Sequence, residues 1–253
     1  MNKKALIFDV DGTLANTEDD GHRPAFNAAF KKNGLDWDWD VELYHKLLKV
    51  AGGRERILYY INDFLPAEKR PGNAEELAKA MHKEKTAFYV QYLEEGKIPL
   101  RPGVKRLILE AREKGLRLAI ATTTSPENIT GLIEGNFGKG SMEWFDVVGH
   151  GGNCPDKKPD PQVYNFVLKE MGLSAADCVA LEDSEIGLKA AGAAGIDTVI
   201  TENDITRGHD FNGAAVVLSD LGEPGSPCKV LGGKQSDKKF EYFGADTLEL
   251  LFG

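Results

Sequence analysis

The sequence predicts an α/β fold, a Rossmann-like parallel sheet core with a small α-helical domain inserted near its start. Three observations carry that expectation. Ala5-Leu6-Ile7-Phe8 is an apolar run without alternation, as in a strand buried on both faces. Beyond about residue 96, short apolar runs alternate with helix-length segments, the rhythm of a parallel sheet with helices on both faces. Between these parts, residues 16–95 contain helix-like segments and no β-rich run. The expected organisation is therefore a core of residues 1–15 and 96–253, interrupted by a helical domain of residues 16–95.

The elements follow in chain order. Ala25, Phe26, Ala29 and Phe30 have helical spacing within a segment from His22 to Lys32. Helices over Val41–Lys49, Arg54–Phe64 and Asn73–Glu94 complete the insert, and Lys97-Ile98-Pro99-Leu100-Arg101-Pro102-Gly103 punctuates its end. A helix over Val104–Lys114 leads to a strand over Leu116–Thr122, and one over Pro126–Glu134 to a strand over Asp146–Val148. Pro159 is expected to open a helix that runs to Met171 and ends at Gly172. Strand Cys178–Leu181, helix Ile186–Ala194 and strands Thr198–Ile200 and Ala215–Leu218 follow. Glu223–Lys239, rich in Gly, Pro, Ser and Lys, reads as a loop or hairpin, and Ala245–Phe252 as a short closing helix.

Composition narrows the function class. Among 253 residues, 42% are hydrophobic and 28% charged, ordinary for a globular protein that is soluble and has a sizeable core. A formal net charge of −9 argues against nucleic-acid and anionic-membrane partners, while leaving room for a locally cationic cleft that takes an anionic small molecule. Cys154, Cys178 and Cys228 show no zinc-ligand spacing and fit a reducing compartment. Cys154 precedes Lys158 in a loop and reads as inert, with redox control as the alternative. The sequence has neither a membrane-spanning apolar run nor a signal peptide's apolar region.

Polar residues recur at the carboxyl ends of the expected strands, where open α/β sheets bind ligands. Asp9 and Asp11 flank Val10, and on an extended chain they would point the same way. Two carboxylates so placed repel unless a cation lies between them or one is protonated, and a hard cation such as Mg²⁺ suits them. The same residues would also make an ordinary acidic turn before Gly12. Thr122-Thr123-Thr124-Ser125 offers a hydroxyl and backbone N–H groups for a phosphate oxygen, or a simple cap for the helix at Pro126. Lys157-Lys158-Pro159-Asp160-Pro161 sets a lysine beside the expected helix start, or merely a solvated charge pair. Glu182-Asp183-Ser184 brings acids out of a buried strand, or caps the next helix. Together they assemble acids for a cation, a hydroxyl and an ammonium group.

The order DxDGT, a hydrophobic strand ending in Thr, KPxP and then ED resembles the haloacid dehalogenase superfamily of aspartate-dependent phosphotransferases. The likeness spans nearly the whole chain and extends to the beta-phosphoglucomutase-like subfamily, whose small helical cap is inserted just after the first motif. LANTEDDGHRPAFN, AGGRERI and PLRPGVKRLI resemble the CbbY-like sugar bisphosphatases, associated with the Calvin cycle. The resemblance implies Asp9 as nucleophile and Asp11 as general acid/base. It implies phosphate binding by Thr122, Thr123 and Lys158. A Mg²⁺ site would be formed by Asp9, Asp183 and the Asp11 backbone carbonyl, with Glu182 as ligand or supporting group.

In the helical cap, the resemblance points to His22, to Gly53 and Arg54 in a loop suited to an anion, and to Lys85. Arg56 reads as a solvent-facing helix charge, and Lys79 and Lys83 suggest that Lys85 lies on a solvated basic face. Glu18 and Tyr44 are candidates for sugar hydroxyls, while Phe30, Trp37, Trp39, Phe64 and Phe88 read as cap core. The implied activity is Mg²⁺-dependent hydrolysis of a sugar bisphosphate, xylulose-1,5-bisphosphate (an inhibitor of Rubisco) above all. The alternatives are a hexose phosphomutase with the same residues and an inactive binding protein on the same fold. The chain is expected to be a monomer, in the chloroplast stroma of a photosynthetic eukaryote or otherwise in the cytoplasm.

Overall fold

The computed structural model describes residues 3–253. Two compact units emerge, one formed by residues up to Asn16 with Pro99–Gly253 and the other by Thr17–Ile98.

The first unit is built on β1 (Ala5–Phe8), all four residues of which are buried. It pairs in parallel with β2 (Arg117–Ala121) on one side and β4 (Cys178–Glu182) on the other, so Leu6 lies opposite both Leu118 and Val179. With β3 (Val147–Gly149), β5 (Asp197–Thr201), β6 (Val216–Leu218) and β7 (Val230–Gly232), the sheet runs β3-β2-β1-β4-β5-β6-β7. Only β7 among these is antiparallel to its neighbour. It arises within the Gly/Pro-rich Glu223–Lys239 segment, where three residues of Val-Leu-Gly are too short to announce a strand. In the core, Ala5, Ile7, Ala119 and Ala180 pack with Val163, Tyr164 and Val167.

The connecting helices have local causes. Ser125 accepts from the Asn128 N–H at 3.4 Å, and Pro126 at the first turn needs no donor, so α6 (Pro126–Phe137) starts there. Ser184 does the same for Gly187 at 3.1 Å. Gly103, at φ +81°, precedes α5 (Val104–Glu113), and a Cβ there would lie 2.5 Å from the Gly222 carbonyl oxygen. The helix expected from Pro159 begins later, at Gln162, and runs to Met171. A residue before proline is pushed out of the α region, so Lys158 before Pro159 and Asp160 before Pro161 both postpone it. The Lys158–Pro159 peptide is cis. Lys158 sits in a turn and the helix starts only at Gln162, so the expected placement beside a helix terminus does not hold.

The second unit contains a π-helical turn over Thr17–His22 that runs into α1 (Arg23–Lys32). It also holds α2 (Val41–Leu47), α3 (Gly53–Asp63) and α4 (Ala74–Glu94). Asp40 caps α2, its carboxylate accepting from the Leu43 N–H at 2.8 Å. Trp37, Trp39 and Phe30 lie in an aromatic core with Phe26, Tyr44 and Tyr60, whereas Phe64 is exposed and Phe88 half-buried outside that cluster, so the cap-core expectation fails for these two. Trp39 is fully buried, and its backbone is pinned by Asn27, which donates to the Trp39 carbonyl at 3.0 Å and accepts from its N–H at 2.9 Å.

Truncating that indole leaves a cavity which the aromatic neighbours cannot fill. Trp39→Ala should destabilise the helical unit by about 3–5 kcal/mol. Urea unfolding followed by circular dichroism measures this, and a loss below about 1 kcal/mol would show that Trp39 does not hold this core.

Candidate active site

The central position of β1 explains where polar groups gather. The ladder to β4 extends to Asp9, whose N–H donates to the Leu181 carbonyl at 3.0 Å. The chain then turns: Thr13 and Leu14 both donate to the Val10 carbonyl, and Gly12 adopts φ +84°. The extended geometry expected to aim Asp9 and Asp11 alike therefore ends at this turn. Asp9 is buried, whereas Asp11 is half-buried. The Gly12 N–H donates to the Ala15 carbonyl at 2.8 Å, which fixes the Asp11–Gly12 peptide.

Lys158 reaches the same place from its turn. Its ammonium donates to Asp9 Oδ1 at 2.6 Å, Glu182 Oε1 at 2.5 Å and the Ala121 carbonyl at 2.8 Å. An ammonium carries three protons, and here there are three acceptors. Lys157, beside it, is exposed. Burial opposes the Lys158 charge, but Asp9 and Glu182 overcome that and raise its pKa.

Glu182 is fully buried at the end of β4. Its Oε1 also accepts from Tyr164 Oη at 2.7 Å, and a Cβ on Gly187 would lie 1.9 Å from its Oε2. Asp183 follows, accepting from Asn203 Nδ2 at 2.8 Å and from Thr13 Oγ1 at 3.4 Å.

Asp9, Glu182 and Asp183 each offer an oxygen within 4.8 Å of the others. Three buried acids thus face one ammonium. Burial pushes the Asp9 pKa well up, with Glu182 and Asp183 adding to it and Lys158 opposing. Burial, then Glu182, pushes Asp183 up to about 7 against the pull of Asn203, Arg101 and Lys158. Such a donor set, all oxygen and short of positive charge, fits a hard divalent cation. The Asp11 carboxylate is outside this set of three acids.

Thr122 is buried at the end of β2, its hydroxyl accepting from the Thr124 N–H at 3.3 Å, and Thr123 is exposed. Cys154 is buried, which raises its thiol pKa.

In the helical unit, Lys85 Nζ lies 2.9 Å from His22 Nδ1 and 5.1 Å from the ring centres of Phe26 and Tyr89. Burial, then Lys85, Arg56 and His82, holds the His22 pKa well down, so a neutral imidazole accepts the Lys85 proton. Lys85 is buried while Lys79 and Lys83 are exposed, which overturns the solvated-face reading. Arg56 is likewise buried and not solvent-facing: it donates to Tyr44 Oη at 2.8 Å and pairs with Glu18 at 3.5 Å. Tyr44 in turn donates to Glu18 at 2.5 Å. Arg54 is the exposed one, paired with Glu55 at 2.9 Å and Glu75 at 3.7 Å. Gly53 packs on His82, where a Cβ would come within 2.5 Å of the ring.

Sequence reasoning missed Tyr164, Arg101, Thr13 and Asn203. Arg101 is buried and donates to the Gly12, Thr201, Glu202 and Ser219 carbonyls. Asn203 was within reach of the strand-end rule, since it lies just past the carboxyl end of β5 as Asp183 lies just past that of β4.

The haloacid dehalogenase-like hydrolase family matches residues 3–195. The chain belongs to that family. Protein CbbY from a Cupriavidus necator plasmid is 50% identical over 224 residues, 88% of this chain and 88% of that protein. The crystal structure of CbbY from Rhodobacter sphaeroides in complex with phosphate superposes with a TM-score of 0.69 at 41% identity, covering 92% of this chain and 98% of that one. A mutant of that CbbY in complex with xylulose-(1,5)bisphosphate has a TM-score of 0.69 at 40% identity, with the same coverage. Among the described residues, no helix is long and apolar enough to cross a membrane.

The tight seat of Glu182 against Gly187 is directly testable. Gly187→Ala must displace the carboxylate that holds Lys158. A shift of about 1 Å at such a group can cost roughly 100-fold in rate. Gly187→Ala should therefore lower kcat for phosphate-ester hydrolysis by about that factor with the fold retained by circular dichroism. Unchanged turnover would show that Glu182 does not position Lys158.

Proposed function

We propose that this chain is a phosphatase, a phosphoric monoester hydrolase that acts on sugar phosphates with Mg²⁺ and prefers xylulose-1,5-bisphosphate. The observation that carries the substrate is the likeness, at 40% identity over nearly the whole chain, to a CbbY in complex with that compound. The buried acids with their single ammonium support the phosphoryl chemistry.

Asp9 is the nucleophile. Its carboxylate attacks phosphorus, an Asp9–phosphate bond forms, and the bond from phosphorus to the sugar oxygen breaks. Asp11 donates a proton to that oxygen as it leaves. It then takes a proton from the water that attacks the phosphorus, so that inorganic phosphate departs and Asp9 is restored. Such proton transfer contributes roughly 10²–10⁴-fold. Lys158 holds Asp9 in place and offers its charge to the phosphoryl oxygens, with Thr122 and the Thr123 N–H as further donors. Asp9, Asp183 and the Asp11 carbonyl would hold Mg²⁺, with Glu182 anchoring Lys158 beside them. When bound, the cation neutralises charge on the acids and on the phosphoryl group.

The Thr17–Ile98 unit acts as the cap domain and selects the sugar phosphate. Arg54, His22, Lys85 and Gly53 are its phosphate-binding residues, and Glu18 bonds a sugar hydroxyl.

Phosphate release across a panel of sugar phosphates tests the reading. Xylulose-1,5-bisphosphate should be hydrolysed to xylulose 5-phosphate in Mg²⁺ and left intact in EDTA, with activity restored by added Mg²⁺. Full turnover in chelator would remove the metal from the mechanism. Interconversion of glucose 1-phosphate and glucose 6-phosphate without phosphate release would identify a mutase.

Arg54→Ala should lower kcat/KM for the bisphosphate by about tenfold, the equivalent of one charged hydrogen bond at an exposed side chain. Monophosphates, which lack the second dianion, should lose much less. Equal losses for both substrates would remove Arg54 from recognition of that second phosphate.

A further inference from the structure

Asn203 stands just past the carboxyl end of β5, outside every motif of the family resemblance. Its Oδ1 accepts from the backbone N–H of Ile205 at 2.9 Å and of Thr206 at 3.0 Å. Its own N–H donates to Thr206 Oγ1 at 3.0 Å, closing the turn. Because the turn occupies the amide oxygen, the NH₂ group must face the other way. There it donates to Asp183 Oδ2 at 2.8 Å and to the Gly12 carbonyl at 3.3 Å.

The surroundings leave this arrangement little slack. A Cβ on Gly12 would lie 2.1 Å from Asp183 Oδ2 and 2.9 Å from Asn203 Nδ2. Arg101 donates to the same Gly12 carbonyl, and Thr13 takes the other Asp183 oxygen. One amide, its orientation set by a backbone turn, thus spans the two chain segments that carry Asp11 and Asp183.

We propose that Asn203 is a positioning residue for the cation site, orienting the Asp183 carboxylate and tying it to the Asp11–Gly12 turn. The inference rests on the Mg²⁺ reading given above. A carboxylate whose orientation is fixed by such donors presents its remaining lone pairs in one direction and loses less freedom when a cation arrives. Groups that orient a metal ligand in this way typically govern metal affinity by 10–100-fold.

The test is calorimetric titration of Mg²⁺ into the metal-free protein, alongside the Mg²⁺ dependence of phosphate release. In Asn203→Ala the dissociation constant should rise roughly 10–100-fold, kcat at saturating Mg²⁺ should fall far less, and the melting temperature of the metal-free protein should move little. Thr206→Val removes the hydroxyl that accepts the Asn203 backbone N–H but keeps both backbone N–H groups that orient the amide, and should bind Mg²⁺ nearly as wild type does. Unchanged affinity in Asn203→Ala would overturn the inference while leaving the Mg²⁺ reading intact. Equal weakening in Thr206→Val would also overturn it, assigning the effect to the loop. Absence of Mg²⁺ binding by the wild-type protein would overturn both.

Discussion

Three buried carboxylates confronted by one buried ammonium is the constraint on which the site depends. An unpaired charge away from water is strongly disfavoured, and removing one partner of a buried pair is typically worth about 3–5 kcal/mol in lost stability. Lys158 answers two of the three acids directly, through Asp9 and Glu182. Among the described residues, Asp183 receives the neutral hydrogen-bond donors Asn203 and Thr13. The imbalance appears as raised carboxyl pKa values at Asp9 and Asp183. A divalent cation would offset the imbalance.

The sheet order makes the crowding unavoidable. With β1 between β2 and β4, the groups that leave those strands must meet beyond their carboxyl ends. Glu182 and Asp183 come from β4, Thr122 from β2 and Asp9 from β1, while Lys158 is delivered by a turn that two prolines keep out of the helix. Tyr164, on the buried side of α7 (Gln162–Met171), then supports Glu182 from behind. Rigid elements thus set the charges, and short loops adjust them.

Much of the core site was legible because its logic is local. A strand buried on both faces has an unmistakable apolar run, and the polar residue that ends the run lies at the ligand-binding edge. That reasoning reached Asp9, Thr122, Glu182 and Asp183. It missed Asn203, although β5 ends in the same way, because a neutral amide in a Thr-Glu-Asn-Asp sequence looks like ordinary turn chemistry. It also missed Arg101, whose Arg-Pro-Gly setting reads as punctuation while its guanidinium gathers carbonyls far away in sequence. Lys158 was identified, but the reason offered for its placement was wrong, since two X-Pro steps defeat the helix start.

In the helical unit, periodicity was the signal that went unused. Lys85 falls on the buried stripe of α4 with Ala78, Met81 and Tyr89, and Arg56 adjoins Ile57, Tyr60 and Ile61 on that of α3. A cation at such a position needs buried partners. Arg56 pairs with Tyr44 and Glu18, and Lys85 with a neutral His22 and two aromatic rings. The low His22 pKa is set first by burial and then by the neighbouring Lys85, Arg56 and His82.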